Sequence, residues 1–425
     1  MANVSSPSEK KQYIISITII GVLFFIFGFI TWINGTLIPY LKIACQLKTD
    51  LESYLVATAF FIAYAVMALP SSFVLKKTGY KKGMSIGLFV MALGAIIFVP
   101  AANARDFNLF LLGLFIIGSG LALLQTASNP YATIIGPIES AAKRISIMGI
   151  CNKVAGILAS LIFGYIALNN TDALEASLQT MDAITKEETL NNLATRVVVP
   201  YIILAIALSA LAIAVLFSSL PDINDAESEE ESRKDVHVTK TSIFQFPYLL
   251  LGVLAIFLYV GAEVIAGDTI ISYGKSLKID MSYARYFTIG TLACMLIGYV
   301  IGIFAIPKYF SQEFALKACA ILGIIFASLA IVTPGITSVV FIALLGLANS
   351  LMWPAIWPLA IGGLGKFTKT GSALLVMAIA GGAILPLVYG KISLSLGNQQ
   401  GYLILIPCYL YILYFSIKGH KLGKG

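Results

Sequence analysis

Charge is what this sequence has least of. Asp, Glu, Lys and Arg supply 12% of its 425 residues, about half the share of about 25% found in soluble domains. A chain so poor in charge cannot clothe a globule in water-facing side chains. With 59% hydrophobic residues and a mean hydropathy of +0.91 it has to be solvated by lipid. Histidine is nearly missing: His237 and His420 both fall in polar segments, which leaves no histidine proton relay in the membrane. Cys45, Cys151, Cys294, Cys319 and Cys408 are scattered without disulfide or metal spacing. No phosphate-binding glycine loop is present, which excludes an ATP-driven pump. No nucleophile–base pair or metal cluster appears either, so no enzyme and no cofactor is expected, a coupling sodium ion apart. The formal net charge of +7 does not signal nucleic acid, because the basic residues sit in short loops between apolar runs.

What is present is a series of apolar runs of membrane-spanning length, about 20 residues each. They cover 13–40, 54–75, 83–104, 107–135, 145–168 and 197–219, then 245–274, 284–306, 314–332, 338–364, 371–395 and 400–418. The predicted fold is an all-α membrane protein of twelve transmembrane helices. The one long charge-rich stretch, PDINDAESEEESRKDVHVTKT (221–241), separates two sets of six. This gives a six-helix bundle over 1–219, a cytoplasmic linker over 220–244 and a second bundle over 245–425. The first run continues to Pro39, too long for a signal-peptide core, and reads as a retained span. With the N-terminus in the cytoplasm, eighteen Lys and Arg fall on that side and eight on the other. The positive-inside rule therefore places both termini in the cytoplasm and the 169–196 connection outside.

The two sets repeat. Span 1 ends GTLIPYLK (35–42) and span 7 ends DTIISYGK (268–275), an offset of 233. Asn129-Pro130 in span 4 answers to Trp357-Pro358 in span 10, and Gly156 and Gly164 in span 5 to Gly382 and Gly390 in span 11. Parallel repeats of six spans are the organisation of major facilitator transporters, with the solute held near the midplane between the halves.

Charges away from span ends are few: Lys153 in span 5, and Glu263 and Asp268 in span 7. An ionisable group inside a membrane normally faces a cavity or a partner. At 1.5 Å per residue, Glu263 lies roughly 6 Å to one side of the midplane and Lys153 roughly 4 Å to the other. The pair is within reach if their faces meet, as a functional or a purely structural ion pair. Asp268 follows Glu263 by five residues, about 140° around a regular helix. The amides Asn34, Gln125, Asn129, Asn152 and Asn349 offer both donors and acceptors to a hydroxyl-rich ligand. Interhelical bonding is their competing role. Trp353 and Trp357, one turn apart on span 10, suit either stacking on a pyranose ring or contact with lipid.

Several stretches carry a resemblance: NGTLIPYLK (34–42), LFLLGLFIIGSGLALLQTASNP (109–130), YVGAE (259–263), GLANSLMWP (346–354) and GSALLVMAIAGGAILP (371–386). On them the chain resembles the fucose:proton symporter family of the major facilitator superfamily, with its glucose/galactose and N-acetylglucosamine relatives. Fucose porters carry an Asp where this chain has Gly35 and a Glu where it has Gln125, so their proton pathway does not carry over. By the internal repeat Asp268 is the counterpart of Gly35.

The reading is a secondary active transporter that imports a hexose or amino-sugar by alternating access, coupled to a cation, with sodium favoured over the proton. Sugar-binding residues are expected to be Asn34, Gln125, Asn129, Asn152, Lys153, Asn349, Trp353 and Trp357. Glu263 and Asp268 would couple the cation, with Glu263 first in line, and Glu263, Asp268 and Thr269 would supply oxygens to sodium. The expected partners are the sugar, the cation and the lipid bilayer, for a monomer in a bacterial inner membrane. The alternatives are a facilitative sugar uniporter and a membrane sugar sensor that does not transport.

Overall fold

The computed structural model describes residues 7–134, 141–220, 241–306 and 308–423. The charged linker, 221–240, lies outside the described residues. Among them there is no strand, as expected where lipid offers backbone groups no partner and the helix satisfies them internally. In chain order the membrane helices are α1 (Pro7–Trp32), α2 (Asn34–Ala44), α3 (Leu55–Ala104), α4 (Phe107–Ile134), α5 (Ala141–Leu168) and α6 (Val198–Phe217). The second half contributes α7 (Pro247–Asp268), α8 (Ile270–Ser276), α9 (Phe287–Ala305), α10 (Gln312–Val332) and α11 (Gly335–Asn349). It is completed by α12 (Met352–Ile361), α13 (Thr368–Met377), α14 (Gly381–Leu396) and α15 (Leu405–Ile417).

Among the described residues 11 helical segments are long and apolar enough to cross a membrane. One of them holds two crossings. At 50 residues α3 would be about 75 Å long if straight, more than twice a hydrocarbon core of about 30 Å. It breaks at Gly79, whose φ of 74° and ψ of 174° suit a residue without Cβ. The side chain of Leu75 then packs on Gly83, so the chain has doubled back. The twelve crossings read from the sequence follow.

Four expected spans are interrupted. Span 1 is divided between α1 and α2, span 7 between α7 and α8, span 10 between α11 and α12, and span 11 between α13 and α14. Proline explains the break in span 10, where Pro354 cannot donate to the Ser350 carbonyl. Spans 1 and 11 break at Ile33 and at Ala378–Ala380, ahead of Pro39 and Pro386, which lie inside α2 and α14. Span 7 has no proline near its break; there the Thr269 hydroxyl donates to the Ile265 carbonyl at 2.7 Å and competes with the helix ladder.

The 169–196 connection, read from sequence as a loop, contains two helices, Thr171–Leu178 and Ala183–Thr195. Asp182 caps the second by accepting from the backbone N–H groups of Ile184 and Thr185 at 3.1 and 3.2 Å. The Thr185 side chain, together with those backbone bonds, holds its exposed carboxyl below the usual carboxylate range. The Tyr40 hydroxyl donates to the carbonyls of Leu193 and Ala194, fixing this helix against α2.

The halves meet chiefly along two seams, α5 against α9 and α3 against α14. Between these seams a cavity remains.

Candidate functional site

The cavity measures about 150 Å³ and draws its lining from both halves. Trp32, Gln125, Asn129, Asn152 and Lys153 come from the first; Tyr259, Glu263, Asp268, Tyr299, Trp353 and Trp357 come from the second. Phe24 and Phe27 of α1 and Ile145 of α5 also line it. It therefore extends from Asp268 toward the end of the bundle where α1 begins.

At its centre the ammonium of Lys153 lies 2.8 Å from Oε1 of Glu263, with the two side chains only 7% and 12% exposed. The sequence placed these charges on opposite sides of the midplane; the two long side chains close the gap and join the halves. The same ammonium stands 4.4 Å from the centre of the Trp32 ring, a cation–π contact. Trp32 Nε1 in turn donates to Asn152 Oδ1 at 3.4 Å. The ring lies between two glycines: a Cβ at Gly156 or at Gly267 would come within 2.5 or 2.4 Å of it. Trp32 is thus a central residue that sequence reasoning missed. The available signal was a third tryptophan, two residues before Asn34 at the end of span 1.

The other expected residues divide. Gln125 donates to the hydroxyl of Tyr64 at 2.9 Å, which adds a second unforeseen group to the wall. Trp353 and Trp357 stack on each other, centroids 5.3 Å apart at 28°. Asn129 lines the cavity. Asn34, Asn349 and Thr269 do not. Asn349 accepts from the Tyr409 hydroxyl at 3.0 Å, inside the second half. The break after it removes the common face it would share with Trp353 on a regular helix. Asn34 is buried just past the break between α1 and α2. Thr269 directs its hydroxyl to Ile265 and to Tyr402, 3.0 Å away.

The sodium site drawn from Glu263, Asp268 and Thr269 is accordingly not assembled: Glu263 is held by Lys153 and Thr269 faces Tyr402. Among the described residues no group of three His, Cys, Asp or Glu could hold a metal ion. Asp268 does reach the same cavity as Glu263. Its carboxyl faces α2: a Cβ on Gly35 would lie 3.2 Å from Asp268 Oδ1. The two residues equated by the internal repeat are in contact.

Beyond Asp268 the halves are tied together along the face that carries the 169–196 helices. Lys275 of α8 meets Glu175 and lies 3.4 Å from Asp172. Asp172 also accepts from the backbone N–H of Met281 at 2.5 Å, and Thr58 donates to the Ala383 carbonyl at 2.8 Å. Lys42, at the repeat position of Lys275, pairs instead within its own half, 2.5 Å from Asp50.

Twelve crossings in two repeats, closed on one face around a buried polar cavity, define a membrane transporter. The profile of the Major Facilitator Superfamily matches residues 20–388, and the chain belongs to that superfamily. It is 35% identical, over 98% of its length and 97% of the relative's, to a glucose/galactose transporter of Brucella abortus. It is 29% identical to the L-fucose-proton symporter of Escherichia coli K12, over 96% and 94% of the two chains. The crystal structure of FucP in its outward conformation superposes with a TM-score of 0.73, at 29% identity over 95% and 98% of the chains. Membership in a family of transporters also agrees with the expectation that the chain is not an enzyme.

Proposed function

We propose that the protein imports a hexose or amino-sugar across a bacterial inner membrane by alternating access, driven by a proton gradient. The observation that carries this reading is the Lys153–Glu263 pair, which bridges the two halves inside a cavity walled by amides and stacked indoles. The names of the relatives, glucose/galactose transporter and L-fucose-proton symporter, support both sugar and proton. The proton replaces the sodium favoured from the sequence, since the oxygens expected to hold sodium do not converge.

Sugar hydroxyls would take the amides of Gln125, Asn129 and Asn152 as partners, and Trp353 or Trp357 would cover an apolar ring face. Lys153 and Glu263 would form the charged tie between bundles 1–219 and 245–425 that yields as they rock. With both termini cytoplasmic, the face carrying the 169–196 helices is the outer one, and this conformation is closed to the outside. The protein would act as a monomer, since each chain carries a complete cavity.

The test is uptake of labelled D-glucose, D-galactose, L-fucose and N-acetylglucosamine into proteoliposomes, with proton and sodium gradients imposed separately. Accumulation of one of these sugars under a proton gradient alone is expected. Equilibration without accumulation would make the protein a uniporter, with Lys153–Glu263 a permanent structural pair. Saturable binding with no uptake would make it a sensor.

A further inference from the structure

Two carboxylates of α7 line the cavity, and their situations differ. Glu263 has its counter-charge in Lys153. Asp268 is 2% exposed, makes no hydrogen bond or ion pair among the described residues, and has Oδ1 wholly enclosed. Lys153, the ammonium that lines the same cavity, is taken by Glu263, and no cation among the described residues pairs with Asp268. On α7 the other charge lining the cavity is the like charge of Glu263; α2 presents Gly35; α9 presents Thr288, whose hydroxyl is already donated to the Gly267 carbonyl at 2.7 Å. Burying a carboxylate with neither a cation nor a donor costs several kcal/mol. The cheapest species that removes the charge without needing room is a proton.

We propose that Asp268 is the site that carries the coupling proton, a role the sequence had given first to Glu263. This rests on the reading above and names the ion's binding group. Protonating Glu263 would leave the Lys153 ammonium buried and unpaired, whereas protonating Asp268 leaves no charge behind. The position suits alternating access. Asp268 lies where α2 of one half touches α7 of the other, so parting of the halves on the 169–196 face separates Gly35 from it and admits water. There the carboxylate takes up a proton as the neutral acid, and the closed arrangement seen here encloses it. Release to the opposite side follows through the cavity that Asp268 lines, and the carboxylate is regenerated. Because the proton-bound and proton-free forms fit the closed seam unequally, the proton biases the conformational equilibrium, as coupling requires.

The geometry also says where else this acid could stand. A Cβ at position 35 falls 3.2 Å from Asp268 Oδ1 and 3.3 Å from the Gly267 carbonyl and the Thr288 hydroxyl. Exchanging the residues, Gly35→Asp with Asp268→Gly, thus places a carboxyl from the other half in almost the same spot.

The experiment uses proteoliposomes of the full chain, with D-glucose, D-galactose and L-fucose as probes. Sugar counterflow and sugar-induced alkalinisation of a weakly buffered medium are recorded for the wild type, Asp268→Asn and the exchange variant. Asp268→Asn is expected to slow counterflow less than tenfold while alkalinisation falls to background, and the exchange variant to recover at least half of the wild-type protons per sugar. Asp268→Asn moving protons at the wild-type ratio would overturn the proposal. If Asp268→Asn gives no counterflow, the exchange variant decides: proton movement by it supports the proposal, and silence overturns it. Wild-type sugar uptake without alkalinisation, or driven by sodium, removes the proton site and leaves sugar transport standing. Absence of sugar uptake by the wild type removes the functional reading itself.

Discussion

Gly267 of α7 lies directly against the indole of Trp32: a Cβ on this glycine would stand 2.4 Å from Cζ3 of the ring. The contact crosses between the halves one residue from Asp268, so the two halves can close here only if position 267 carries no side chain.

Gly267→Ala is therefore expected to disfavour the closed arrangement. Overpacking of this kind costs about 1–3 kcal/mol, which shifts the closed population by roughly 5- to 150-fold. A cysteine introduced at Ser272, on the lining of a second cavity beyond Asp268, should then react faster with an impermeant thiol reagent. An unchanged rate would show that the ring moves aside at little cost.

Glu263→Gln and Lys153→Met each leave one buried charge alone. Loss of one partner from a buried pair costs about 3–5 kcal/mol, so each single variant should melt well below the wild type in detergent. The double variant should melt closer to the wild type than either. Equal melting of all four proteins would mean that the pair is open to water.

Gln125→Ala and Asn152→Ala should weaken sugar binding by roughly 2- to 13-fold, the effect of about 0.5–1.5 kcal/mol for one hydrogen bond. Calorimetry on purified protein measures this directly. Asn152→Ala also removes the acceptor of Trp32 Nε1, so its intrinsic fluorescence should change while that of Gln125→Ala does not.

Lys275→Ala removes the charge that ties α8 to Asp172 and Glu175. These side chains are about one-third exposed, so the tie is worth about 0.2–1 kcal/mol and is screened by salt. The seam should open by roughly 1.4- to 5-fold in low salt, read by the same thiol assay at Ser272, and the difference from wild type should shrink at 1 M salt.

Orientation is checked from the surface. A cysteine at Thr180 should react with an impermeant reagent in right-side-out vesicles, and one at Lys77 should be shielded. The reverse pattern would invert the topology drawn from the basic residues.

The spans were legible because the bilayer dictates their length, and the loop charges because lipid tolerates so few elsewhere. Lys153 and Glu263 stood out for the same reason, as a polar residue in an apolar run is conspicuous. What could not be read was azimuth. On an unbroken helix Asn349 and Trp353 share a face, a relation the break at Ser350–Leu351 cancels, and the hydroxyl of Thr269, just past the end of α7, is taken by Ile265 and Tyr402. Trp32 escaped notice because a tryptophan in a span is ordinary until its neighbours are known. The helices at Thr171–Leu178 and Ala183–Thr195 were missed because they are short and polar, although Asp182 at the N-cap position was a cue.

The four interrupted spans have a mechanical consequence. A helix bends most easily where its ladder has already lost a rung, and here those places are settled at Ile33, Thr269, Ser350–Leu351 and Ala378–Ala380. The chain thus resembles stiff rods joined at fixed knuckles more than a uniformly supple bundle. Under the proposed alternating access, reorientation would turn about joints whose hydrogen bonds were given up during folding, so each transport cycle would break few new ones.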